Sequence, residues 1–370
     1  MQIHFIAIGG AVMHNLAIAL HKKGYKITDS NDEIFEPSRS RLDKYALLPP
    51  EWGWFPEKLN NDLDAVILGM HAREDNPELL RAKELGLKIY SFPEFLYEQT
   101  KNKKRVVIAG SHGKTTVTSM IMHALLVNGL KFDYMVGSNL VGFDTMVELD
   151  NSNEIAIFEG DEYLTSPIDK RPKFHLYQPH ISLITGIAWD HMNVFPTFEN
   201  YKEQFRIFAG MTSEAIIYYE GDTYVKAITE KLRKRVSVHP YNELNSCTND
   251  KMTMVIFNNL VVNLSIFGRH NMQNLAGAMQ VCKLLGVSEH DFLSSMTCFR
   301  GAARRQELLA GNDDYEVYLD FAHAPSKVKA TVEAFREQFP DKKLITCLEL
   351  HTFSSLNRDF LPQYSQFPNS

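Results

Sequence analysis

The sequence predicts an α/β protein with largely parallel, doubly wound sheets, and three observations carry that prediction. The chain opens on an apolar run, a glycine pair and a helical pattern. A later apolar strand runs straight into Gly110-Ser111-His112-Gly113-Lys114-Thr115-Thr116 and then into a helix. Strand and helix patterns alternate over most of the chain between, as parallel sheets with crossover helices require.

Residues 3–8 read as the first strand and Gly9-Gly10 as its turn, followed by a helix with Met13, Leu16, Ala17 and Leu20 on one face, closed by Gly24. Further strands follow at 25–28, ending at Asp29, at 65–68 and at 87–90, with a helix at 77–85. These form a Rossmann-like domain over 1–100. The basic joint Lys101-Asn102-Lys103-Lys104-Arg105 marks a boundary. A central domain over 101–298 begins with the strand 106–109 and the helix 115–127, then strands at 154–158, 181–184 and 215–219. Alternation over 252–267, broken by Asn258-Asn259, predicts a hairpin, and 271–285 a helix ended by Gly286. The segment 299–370 offers strands at 316–319 and 344–348 around a helix at 326–338. Roughly 70 residues are few for a well-buried α/β layer, so this third domain reads as incomplete.

Composition removes several classes of function. A chain of 370 residues is no small disulfide scaffold, and 39 basic against 45 acidic residues leaves no nucleic-acid footprint. Cys247, Cys282, Cys298 and Cys347 lie far apart without C-x-x-C spacing, which points to a reducing compartment and to packing roles. No apolar run approaches the ~18 residues of a membrane span. The start lacks the basic region and cleavage site of a signal peptide, so a cytoplasmic protein with no membrane partner is expected.

The strongest chemical signal is the loop from Gly110 to Thr116. Between strand and helix, its backbone N–H groups and the helix dipole suit phosphates, with Lys114 reaching the β- and γ-phosphates and the Thr115 hydroxyl serving Mg²⁺. It is a shorter G-x-x-G-K-T-T form, since position 108 is Ile in place of the usual first glycine. Glu159-Gly160-Asp161-Glu162 and Asp190-His191 follow strands of the same domain, at the ends where such sheets bind ligands. Gly9-Gly10 with Asp29 reads either as a plain turn or as a diphosphate site; Ala7 and Val12 stand where a dinucleotide fingerprint has glycine. Gly268 to Asn274 reads either as a polar helix cap or as an adenine reader through its amides. Arg305 suits phosphate charge and Asp320 ribose hydroxyls.

Taken in order, these segments resemble the Mur ligase family: Ile8-Gly9-Gly10, Asp75 to Glu78, Gly110 to Thr116, Glu159 to Glu162, Asp190-His191, Gly268 to Asn274, Arg304-Arg305 and Asp320 to Pro325. The resemblance implies three domains: a Rossmann-like UDP-sugar domain, a central P-loop ATPase and a Rossmann-like carboxy-terminal domain. Glu159 to Tyr163 followed by Ile168-Asp169-Lys170-Arg171-Pro172-Lys173-Phe174 is most similar to the murein peptide ligase branch, which joins L-alanyl-γ-D-glutamyl-meso-diaminopimelate to UDP-N-acetylmuramate. The L-alanine-adding branch is next.

The implied reaction is ATP-dependent amide formation through an acyl phosphate. On this resemblance Lys114, Glu159, His191 and Arg305 are catalytic, and Thr115, Glu159 and His191 hold Mg²⁺. ATP lies against Gly110, His112, Gly113, Lys114, Thr115, Thr116, Asn271, Asn274, Arg305, Asp320 and His323. The UDP-sugar and the acceptor meet Gly9, Gly10, Asp29, His71, Lys170, Arg171 and His351. Lys170, Arg171 and Lys173 read otherwise as a solvated basic loop. Phe205 stands where some relatives carry a modified lysine. Two competing functions are a non-catalytic binder of UDP-sugar and ATP, and a nicotinamide-dependent oxidoreductase resting on Gly9-Gly10 and Asp29 alone.

Overall fold

The computed structural model describes residues 1–189, 194–249, 252–312, 314–350, 355–356 and 361–366. The chain divides into two compact units, one of Met1–Val107, Phe132–Asn139 and Phe143–Pro179, the other of Ile108–Lys131, Leu140–Gly142 and His180–Ser370.

The first unit opens with β1 (Gln2–Ile6), α1 (Ala11–Lys22), β2 (Lys26–Ser30), α2 (Ser38–Lys44), β3 (Ala65–Leu68), α3 (Pro77–Glu84), β4 (Ile89–Ser91) and α4 (Phe92–Thr100). β1 ends two residues earlier than its apolar run because Ala7 takes φ 64°, a left-handed conformation that stops a strand. The four strands form a parallel sheet in the order β2-β1-β3-β4. β3 is buried along its whole length, and Ile6, Leu59, Val66, Leu68 and Leu79 pack into one cluster against it. Asn76 caps α3 by accepting from the Glu78 and Leu79 amides, with Pro77 at the first helical position. The sequence reading passed over α4, which starts on a Ser91/Glu94 capping box.

β5 (Lys104–Ala109) leads into α5 (Lys114–Val127), followed by β6 (Asp133–Met135), β7 (Val147–Glu148), β8 (Ile155–Glu159) and β9 (Ile181–Ile184). Then come α6 (Phe198–Met211), β10 (Ala215–Tyr219), α7 (Thr223–Glu230) and β11 (Ser237–Tyr241). Seven strands are ordered β11-β10-β9-β5-β8-β6-β7. β9, β10 and β11 run parallel, as do β6 and β8, while β7 is antiparallel at the edge.

β12 (Ser246–Asn249), β13 (Met252–Phe257) and β14 (Leu260–Leu264) make an antiparallel sheet. Its expected turn is Asn258-Asn259, both at positive φ, as a two-residue hairpin needs. α8 (Arg269–Leu284) and α9 (Glu289–Met296) follow, then the antiparallel pair β15 (Glu307–Gly311) and β16 (Glu316–Leu319) and helix α10 (Pro325–Gln338).

Two expectations need correction. Residues 344–348 form no strand: Ile345 is 81% exposed, and an apolar run without a neighbouring strand has no ladder to join. Of the four cysteines only Cys282 is a packing residue, its thiol pushed far up by burial; Cys247, Cys298 and Cys347 are exposed. Among the described residues no helix is long and apolar enough to cross a membrane.

Candidate functional site

In the second unit, the phosphate loop leaves β5 at Gly110 and enters α5 at Lys114. Gly110 has φ 133°, and a Cβ there would stand 2.0 Å from Thr185 Oγ1. Gly113 has φ 77°, and a Cβ there would stand 2.3 Å from Asn274 Oδ1. A side chain at either position would therefore have to push Thr185 or Asn274 aside, on backbone that favours glycine. The loop is pinned from β9 outward. The Ser111 amide donates to Gly186 O (2.9 Å), Ala188 N donates to Ser111 Oγ (2.9 Å), and Thr185 Oγ1 donates to His112 O (2.5 Å). His112 Nε2 lies 2.9 Å from Ser326 Oγ at the start of α10. No side chain caps α5, which leaves its positive end to a ligand, and Lys114 Nζ folds back onto Gly110 O at 2.7 Å. Thr115 is buried behind it, and Thr116 is half-buried.

The first turns of α8 meet this loop. Asn274 packs against Gly113, and Gln273 Nε2 donates to Thr185 O (3.0 Å). Asn271 Nδ2 donates to Phe267 O (2.9 Å) and to Gln306 Oε1 (2.8 Å). Both asparagines are buried, so the structure first uses their amides to hold the protein together. Asp320 accepts from the amides of Gln306 (2.9 Å) and Ala322 (2.8 Å), and the Arg305 guanidinium lies 5.0 Å from the Phe321 ring centroid. His323 Nδ1 sits 2.9 Å from Phe321 O. Loop, α8 start and the segment 305–323 are thus connected by hydrogen bonds, bringing most of the sequence-predicted nucleotide residues together.

In the first unit, Glu159 ends β8 with its carboxylate almost buried and accepting from Gly137 N at 2.8 Å. Lys173 Nζ donates to Asp161 at 2.5 Å. Arg171 is bound by Asp169 (2.6 Å) and lies 3.4 Å from Glu94, while Lys170 lies 3.7 Å from Glu74. Burial alone would raise the Asp169 pKa, but hydrogen bonds from Arg171 overcome it and hold the carboxyl below its usual range.

The amino-terminal turn is also in this unit. A Cβ on Gly10 would stand 3.9 Å from His71 Cδ2, so His71 lies next to the turn. The Gly9 amide is already taken: it donates to Asn31 Oδ1 at 2.9 Å. The β2-end side chain that reaches the turn is thus Asn31, two residues beyond Asp29. The Asp29 carboxyl is instead pushed up to about 7, mainly by burial, with Lys58 opposing and Glu78 adding. Sequence reasoning also passed over His14, Asn15, Ser38 and Arg41, which bond to one another around the first turn of α1. Asp190, His191 and His351 lie outside the described residues.

Comparison with known proteins places this geometry. The family profile of the Mur ligase middle domain matches residues 108–282. The UDP-N-acetylmuramate–L-alanine ligase of Aquifex aeolicus is 30% identical over 95% of this chain and 78% of the relative. The structure is similar to a murein peptide ligase from Psychrobacter arcticus (TM-score 0.76, 24% identity, 99% of this chain and 83% of that one). It is also similar to a UDP-N-acetylmuramate-alanine ligase from Thermotoga maritima (TM-score 0.73, 22% identity, 93% and 79%).

Proposed function

The chain belongs to the Mur ligase family of ATP-dependent ligases, and from that premise we propose that it joins the carboxylate of UDP-N-acetylmuramate to the free amine of L-alanyl-γ-D-glutamyl-meso-diaminopimelate. The phosphate loop carries most of the weight. Two glycines that exclude any Cβ and an uncapped helix start form a cradle shaped for a triphosphate. Thr115 and Glu159 each offer the hard oxygen that Mg²⁺ prefers, and the ion would neutralise phosphate charge during transfer. Lys114, released from Gly110 O, would follow the γ-phosphate as the sugar carboxylate attacks it. The acceptor amine would then attack the acyl carbon of the acyl phosphate so formed, and the tetrahedral intermediate would expel inorganic phosphate and leave the amide. Asn271, Asn274, Arg305, Asp320 and His323 would surround the rest of the nucleotide. Roles would divide as UDP-sugar binding in 1–100, ATP binding in 101–298 and acceptor handling in 299–370.

The tripeptide is preferred as acceptor because it carries several carboxylates, and the exposed Lys170 and Arg171 offer cations beside the Glu159 segment. L-Alanine is the second reading, favoured by the names of the curated relatives. ADP release with Mg·ATP and UDP-N-acetylmuramate decides between them. Turnover with tripeptide and none with L-alanine is expected; the reverse assigns the alanine-adding reaction, and silence with both refutes a ligase.

A further inference from the structure

We propose that Arg41 reads the diphosphate of the UDP-sugar and is held ready for it by Asn15 and Asn139, an inference that rests on the donor substrate proposed above. Arg41 Nη1 donates to Asn15 Oδ1 (3.1 Å) and Nη2 to Asn139 Oδ1 (2.9 Å). Among the described residues no carboxylate pairs with it, and three of the five guanidinium N–H groups keep no protein acceptor. A guanidinium oriented by two neutral oxygens keeps its whole charge for an anion.

A buried network fixes where that charge lies. Asn15 is fully buried, and all of its polar atoms are used. Nδ2 donates to Ala11 O (2.7 Å) and His14 Nε2 (2.9 Å), while Oδ1 accepts from Arg41 and from Met146 N (3.0 Å). His14, also buried, donates through Nδ1 to Gly10 O at 2.9 Å, with Ser38 Oγ 3.0 Å away. Ser38 and Arg41 lie three residues apart on α2, so both are turned toward α1. Burial lowers the His14 pKa, the bond to the Gly10 carbonyl opposes that, and the Arg41 charge lowers it further. The Gly9 amide is consumed by Asn31 and α1 has no side-chain cap. An anion at this turn therefore meets the first-turn amides of α1, with Arg41 as the flanking cation.

The test compares wild type, R41Q and R41K for binding of UDP-N-acetylmuramate, UDP and uridine by calorimetry and competition. R41Q is expected to weaken both diphosphates on the order of 10- to 100-fold, the scale of a hydrogen bond to a charged group. Uridine affinity, the KM for Mg·ATP and kcat at saturating sugar should change less than about twofold, and R41K should recover part of the loss. Equal diphosphate affinity in wild type and a folded R41Q overturns the inference. A proportional loss for uridine also overturns it, making Arg41 a strut between Asn15 and Asn139. If R41Q fails to fold, R41K decides: diphosphate affinity unchanged from wild type would refute the need for a guanidinium here. Wild type that fails to bind UDP-N-acetylmuramate overturns the proposed donor, and this inference with it.

Discussion

Gly113→Ala isolates the phosphate loop from the rest of the molecule. The new Cβ would stand 2.3 Å from Asn274 Oδ1 and 3.1 Å from its Cγ, on a backbone at φ 77°. Left-handed backbone costs an alanine roughly 1–2 kcal/mol. Relieving the contact moves a buried asparagine whose amide sits 3.5 Å from Asn271 Oδ1, adding roughly 1–3 kcal/mol as overpacking does. Gly129→Ala supplies the control: φ there is 73°, but nothing lies within 4 Å, so only the backbone cost applies. Thermal unfolding should therefore fall by several degrees more in G113A than in G129A. Affinity for a non-hydrolysable Mg·ATP analogue, measured by calorimetry, should drop about tenfold or more in G113A and hold in G129A, because Asn274 leaves its place beside the loop. Equal melting and equal nucleotide affinity in the two variants would refute the idea that Gly113 is kept clear for the loop and Asn274.

Lys114→Met should lower kcat for ADP release on the order of 100- to 1,000-fold, since it removes the cation proposed to follow the γ-phosphate; steady-state kinetics with intact folding by circular dichroism checks it. Asp29→Asn should change stability with a definite sign: with its folded pKa raised to about 7, the wild-type carboxyl contributes stability below its unfolded pKa that is lost as pH rises through 7. The variant should thus gain on wild type in urea midpoint between pH 5 and pH 8, and a constant difference would refute the raised pKa. Ala7→Gly should alter stability by no more than about 1 kcal/mol, because relief at φ 64° offsets a lost buried methyl and added chain entropy; a loss above about 2 kcal/mol in urea titration would contradict that balance.

Legibility in the sequence followed physical scale. β3, β9, β10 and β16 lie on the boundaries their apolar runs predicted, because each run pairs with a neighbouring strand. The phosphate loop was legible because its glycines encode a local geometry that any context must respect. α4 was not, since Phe92-Pro93 looks like a breaker until Ser91 and Glu94 are seen to cap the helix. Residues 344–348 misled for the opposite reason: four apolar residues around Thr346 say nothing about whether a partner strand exists. Asn31, Asn15 and Arg41 carry no periodic signature. Their roles come from β2, α1 and α2 being folded together, and a single sequence gives no distance between residues 15, 31 and 41.

The two glycine-bearing loops solve different problems, and the difference accounts for the unusual amino-terminal turn. At Gly110 and Gly113 a side chain would collide with Thr185 and Asn274, so glycine is required by space as well as by φ. At Ala7 the backbone is also left-handed, yet a methyl is tolerated because its neighbour gives way instead. A Cβ on Gly69 would stand 2.7 Å from Ala7 O and 3.1 Å from Ala7 Cβ, so the small residue has been placed across the contact. Ala7 N then donates to Ser30 O (3.0 Å) and Gly9 N to Asn31 Oδ1 (2.9 Å), which ties the turn to the end of β2. A turn bound in this way offers fewer free amides to a diphosphate than a glycine-rich one. On the proposal made above, a diphosphate held here would draw on the α1 start and on a flanking cation, the part given to Arg41, whose guanidinium bonds the buried Asn15.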